Sequence, residues 1–255
     1  MLAVIRVILL GIFVIFASVF GILFCLIRPF HANNVYWLGK IYSKAAKILG
    51  IKLVIRTHPD AYKAQPAVFI ANHQNSYDIF TLCGSVLPNT VTIGKKSLKW
   101  VPFFGQLYWL SGNILIDREN RKKAMAALKT SKEIIQKRKV SVWMFPEGTR
   151  SYGRGLLPFK RGAFQLALAA DVPIVPVLMS TTCNKVKLNR WLNGTVIIEV
   201  MAPTQMSEEQ KKNLKQTCED YHSLMLDKLK QLDAEADKLN AHILPQTNHS
   251  EGASK

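Results

Sequence analysis

Twenty-one consecutive uncharged and largely apolar residues, Val7 to Ile27, lie between Arg6 and Arg28. A helix needs about 20 such residues to cross the hydrocarbon of a bilayer, so a freely soluble fold is the hardest outcome for this chain to reach. A cleaved signal peptide is the rival reading. The run is long for one, and no small-x-small cleavage site follows it. Pro29 stops the helix. Asn33 or Asn34 can cap a second helix reaching about Leu49, with Gly50 as its end. That segment carries Tyr36, Trp37 and Tyr42 with Lys40, Lys44 and Lys47, a mixture suited to the lipid–water interface and equally to an amphipathic helix packed on a domain. Residues 1–50 are therefore expected to form a membrane-anchoring helix pair. Whether the first helix spans or dips in and returns stays open. Basic residues on both sides place the remainder on the cytoplasmic side of an inner membrane.

Beyond residue 50 the pattern changes to short apolar runs separated by helical stretches. Strands are expected at Ile51–Arg56, Ala67–Ala71, Val91–Ile93, Ile114–Ile116, Val140–Phe145, Val172–Met179 and Thr195–Met201. Helices are expected at 77–86, at Arg121–Lys139 and at Ala163–Ala170. Such alternation predicts an α/β domain over 51–203, with a mostly parallel covered sheet and flanking helices. Pro173 and Pro176 deny their strand two ladder donors and predict an edge or irregular strand. Trp100, Phe103, Phe104, Tyr108 and Trp109 could grip an acyl chain or meet lipid, but core packing is the favoured account. Over 204–241 a capping box, Ser207-x-x-Gln210, opens a long amphipathic helix with a stripe from Leu214 to Leu239. Residues 242–255 read as a flexible tail.

Charge narrows the partners. Lys and Arg number 34 against 17 Asp and Glu, a formal net charge of +17. An anionic partner follows: a lipid surface, nucleic acid or phosphorylated small molecules. No helix-turn-helix, RNP or zinc-finger pattern supports nucleic acid. Cys25, Cys83, Cys183 and Cys218 are scattered, without metal-ligand spacing, so no metal is expected.

The chemistry points to Asn72-His73-Gln74-Asn75-Ser76-Tyr77-Asp78, just after an apolar strand. Residues five apart do not share a helix face. His73 and Asp78 can meet across a strand-to-helix turn, with Asn75 or Ser76 as N-cap. A carboxylate on one imidazole nitrogen fixes the tautomer and makes the other a better base. No Ser or Cys nucleophile is evident alongside, so the hydroxyl to be activated would belong to the substrate. A surface histidine beside a capping aspartate is the duller reading of this spacing.

Three later blocks join this one: Gly112-Asn113-Ile114-Leu115-Ile116-Asp117-Arg118, Phe145-Pro146-Glu147-Gly148-Thr149-Arg150 and Val172-Pro173-Ile174-Val175-Pro176-Val177. In this order, with the connecting run from Gly94 to Gly105, they resemble the glycerolipid acyltransferase family. The likeness runs from the N-terminal apolar segment to about Met201. Asn75 stands where that family more often has Ser. The resemblance implies transfer of an acyl group from a thioester, carried by coenzyme A or acyl carrier protein, to the sn-2 hydroxyl of lysophosphatidate, with no cofactor. It implies His73 and Asp78 as catalytic residues, and Arg118, Glu147, Gly148, Thr149 and Arg150 at the acceptor's phosphate and glycerol. Lys95, Lys96, Lys160 and Arg161 are further candidates for phosphate contacts. Another lysophospholipid or glycerol-3-phosphate is an alternative acceptor. A non-catalytic, membrane-tethered module holding anionic lipid is an alternative of another class.

Overall fold

The computed structural model describes residues 1–116 and 121–241, with side chains omitted at 121–125 and 127. The apolar run forms α1, Leu2–Ile27. It does not stand apart from the rest. Ala17, Ser18, Gly21 and Cys25 are buried, and Ser18 Oγ lies 2.7 Å from Tyr42 Oη. The opposite side of α1 leaves Ile8, Phe16, Phe20 and Leu23 exposed.

Helix α2 covers Asn34–Tyr42 and continues as a 3₁₀ turn over Ser43–Lys47. Asn33 occupies the N-cap position without capping. Its side-chain oxygen accepts instead from Asn89 N at 2.6 Å. Gly50 ends the segment at φ +70°, the left-handed conformation that glycine adopts without steric cost.

Then follow β1 (Ile51–Thr57), the short α3 (Pro59–Lys63), β2 (Val68–Ala71), β3 (Thr90–Lys95), α4 (Phe104–Leu110) and β4 (Ile114–Ile116). The chain continues with α5 (Arg121–Arg138), β5 (Ser141–Met144), α6 (Gly162–Ala170), β6 (Ile174–Met179), β7 (Gly194–Val200), α7 (Glu208–Lys212) and α8 (Leu214–Asn240). One sheet takes the order β1-β7-β6-β2-β5-β3-β4. Its pairs are parallel except β6 with β7, which is antiparallel. The five strands from β6 to β4 therefore end on one edge, and β1 and β7 begin there. In open α/β sheets ligands gather at that edge.

Several expectations need correction. Strand β6 is interior and buried at all six positions, not an edge. Pro173 lies just ahead of it and gives only its carbonyl, to Val68 N. Pro176 gives its carbonyl to Met201 N, where the ladder to β7 is only starting. Neither ring interrupts the pairing with β2. The helix expected over 77–86 is two 3₁₀ turns, Ser76–Ile79 and Leu82–Ser85. There the Thr81 hydroxyl and Cys83 thiol donate to the carbonyls of Tyr77 and Ile79, competing locally with helical bonding.

The Ser207 capping box is present, but its helix stops at Lys212. Asn213 caps a new one, its Oδ1 accepting from Gln216 N. Of the five aromatics between 100 and 109, Trp100, Phe103 and Trp109 are exposed rather than packed in the core.

Candidate active site

The turn after β2 is held from several directions. Asn72 closes both arms of its amide on Met179 at the end of β6, with Oδ1 accepting from Met179 N and Nδ2 donating to Met179 O, each at 2.9 Å. His73 follows directly. Its Nδ1 lies 2.6 Å from Asp78 Oδ2. Asp78 is buried, and Oδ2 also accepts from Gln74 N at 2.8 Å. Asn75 caps the 3₁₀ turn by accepting from Tyr77 N, while its own N–H points back to the Asp78 carboxylate. A tight 3₁₀ turn thus brings together two side chains five positions apart. The His73 ring stacks on Phe145, with centroids 4.0 Å apart and planes 16° from parallel.

Glu147, in the turn just after β5, is 2% exposed. Oε1 accepts from His73 N at 2.7 Å, and Oε2 from Leu157 N at 2.9 Å. Burial pushes its carboxyl above the ordinary range, and the two backbone N–H groups pull the other way. Its geometry is that of a clamp between the turn and the 151–160 loop. It makes no pair with Arg150, whose Nη1 instead donates to Tyr152 Oη at 3.2 Å. Gly148 sits at φ +71°, and a Cβ there would fall 2.9 Å from Lys160 Nζ. The flexible Lys160 chain could move aside, so it is the positive φ that favours glycine here.

Thr149, Lys95, Lys96, Lys160 and Arg161 are exposed, and Arg150 is half-buried. Lys95 ends β3 on the same edge as His73, two strands away. Arg118 lies outside the described residues.

Some positions around the turn carried no local signal in the sequence. The Gln74 side chain donates to Met179 O and Ser180 O and accepts from Thr182 N at 2.7 Å. Thr182 Oγ1 accepts from Asn75 Nδ2. Neighbouring Thr181 is held by α8: Asp233 accepts from its N at 2.6 Å and from its hydroxyl at 2.7 Å. A hollow of about 270 Å³ adjoins the turn, bordered by Gln74, Glu147, Ser151 and Leu156.

Residues 52–180 match the sequence profile of the Acyltransferase family. The chain belongs to that family. The acyltransferase is 48% identical over 235 residues to the 1-acyl-sn-glycerol-3-phosphate acyltransferase of Salmonella typhimurium, covering 92% of this chain and 96% of that protein. The enzyme of the same name from Escherichia coli K12 gives the same figures. That from Haemophilus influenzae is 45% identical over 244 residues, covering 94% of this chain and all of the relative. Among solved structures, the 1-acyl-sn-glycerophosphate (LPA) acyltransferase of Thermotoga maritima superposes with a TM-score of 0.67, over 90% of this acyltransferase and 95% of that chain. At 22% identity that likeness shows the shared fold.

Proposed function

We propose that this acyltransferase esterifies the sn-2 hydroxyl of lysophosphatidate, using an acyl thioester of coenzyme A or acyl carrier protein. The observation that carries the proposal is the 2.6 Å contact between His73 Nδ1 and Asp78 Oδ2, with Glu147 of the third motif bonded to the same turn. Asp78 accepts a hydrogen bond from Nδ1–H, which leaves the Nε2 lone pair to act as base.

In the proposed reaction the acceptor hydroxyl gives its proton to Nε2 as its oxygen attacks the thioester carbonyl. The tetrahedral intermediate then collapses, expelling the thiolate, and the imidazolium returns the proton to sulfur. Asp78 stabilises the imidazolium while it lasts. A thioester is already activated, so no covalent acyl-enzyme is required. Arg150 offers a planar fork suited to the acceptor's phosphate, and Arg118 is assigned the same role from its motif. Glu147 and Gly148 shape the loop that presents Arg150. Lys95, Lys96, Lys160 and Arg161 supply positive potential along the rim. Because α1 touches the domain along its length and keeps one apolar side outward, the enzyme is read as membrane-bound. The cytoplasmic face of the inner membrane is its proposed location.

The test is an assay of purified protein with lysophosphatidate and each donor, beside His73→Ala. Phosphatidate formation by the unaltered chain and its loss in the variant are expected. Product from neither donor would overturn the reading, and full turnover by the variant would remove the base assignment. Arg150→Ala should raise KM for lysophosphatidate; an effect confined to the donor would reassign that residue.

A further inference from the structure

The segment between β6 and β7 is held to an unusual degree for a surface loop. Arg6 of α1 is 3% exposed, and its guanidinium donates to the carbonyls of Lys187, Leu188, Arg190 and Trp191. Ala3 N donates to Asn189 Oδ1. From the other side Asn193, also buried, accepts from Lys187 N and the Arg190 guanidinium and donates to Leu49 O. The loop is thus braced from both sides.

At its apex this rigid frame displays the two least suitable side chains for water: Trp191 is 77% exposed and Leu192 59%. A braced loop cannot fold them back onto the protein. Beside Leu192 lies an open groove of about 600 Å³, with Ile51 and Leu53 in its lining and Lys44, Lys47 and Lys52 along it. No acidic residue lines it among the described residues.

We infer that residues 187–193 form a second membrane-contacting element. Trp191 and Leu192 enter the acyl boundary, and Lys44, Lys47 and Lys52 meet anionic headgroups in the adjoining groove. Two observations choose lipid as the occupant. The loop is bonded directly to α1, so its exposed apolar apex is fixed beside a helix that itself leaves Ile8, Phe16 and Leu23 exposed. The lysines supply the complementary charge for an anionic surface, and an amphipathic tryptophan is the residue favoured at headgroup depth. Near the far end of α1, Phe30 and Trp109 pack edge-to-face and are both exposed. Aromatic contacts therefore flank the helix at both ends. This inference stands independently of the catalytic assignment.

The test uses the full chain on vesicles of phosphatidylglycerol and phosphatidylethanolamine, comparing the unaltered protein with Trp191→Phe, which keeps an apolar apex. The difference in their tryptophan emission isolates Trp191. Lipids brominated on the acyl chains should quench most of that difference, and aqueous iodide little of it. Quenching should be at least twofold weaker on purely phosphatidylcholine vesicles, and Lys44→Gln/Lys47→Gln/Lys52→Gln should abolish that headgroup preference. A difference signal open to iodide and untouched by bromine overturns the inference. So does a signal that iodide reaches only after residues 242–255 are removed, which would assign the patch to the chain's own C-terminal segment. Trp191→Ser/Leu192→Ser should lower turnover of vesicle-embedded acceptor while sparing a short-chain, micellar one. Equal turnover of both would count against it.

Discussion

His73 is fixed by three different forces: a hydrogen bond to Asp78, a stacked ring from Phe145, and a backbone N–H held by Glu147. His73→Ala should therefore leave the fold intact by circular dichroism and lower kcat by about 10²–10⁴, the range of general-base catalysis. Asp78→Asn keeps the shape but can present an amide N–H to Nδ1, so a loss of similar order is expected in the same assay. Glu147 makes a separate prediction. Its carboxyl is raised by burial, so the folded state holds that proton more tightly than the unfolded chain does. The stability linked to this group is complete below the ordinary carboxylate pKa and declines as pH rises through the elevated folded value. Glu147→Gln removes this dependence while misplacing one N–H acceptor, a cost of about 1–3 kcal/mol. In denaturant titrations at several pH values, its deficit against the unaltered chain should be largest in acid and shrink toward neutrality.

At the scale of elements, the seven strands were legible because each is a short apolar run cut off by Pro, Gly or polar residues, and a buried sheet leaves few other ways to hide such runs. Their order was not. Nothing local says that β7 runs against β6, or that β6 lies inside the sheet despite two prolines. The contacts around the turn divide in the same way. The pairing of His73 and Asp78 is local and could be read from spacing, whereas Gln74 meets Thr182 across more than a hundred residues. Helix α8 offered an apolar stripe and no chemistry, yet Asp233 on the flank of that stripe grips Thr181, beside the threonine that holds Gln74 and Asn75. Asp233→Ala should lower kcat between about 10- and 100-fold through misplacement of the turn, with KM little changed. Asp233→Asn, which can still bond both Thr181 groups, should restore most of it. An alanine variant with unaltered kcat would reduce α8 to a packing role.

For the molecule as a whole, α1 packs on the domain while keeping an apolar side outward. Gly21 packs so closely on Leu38 and Leu107 that a Cβ would fall 2.8 Å from each. Removing residues 1–28 should therefore uncover apolar core at Leu38, Tyr42 and Leu107 as well as weaken membrane binding. The truncated chain is expected to aggregate without detergent, by light scattering, rather than yield a soluble active enzyme. The Arg6 cluster adds a matter of timing. The guanidinium sits on α1, yet its acceptors belong to residues 187–191, which are translated long after it. Until then that charge has no partner and holds its end of the helix near water. Final seating of α1 should thus be a late event of biogenesis, completed only after residue 191 has been translated.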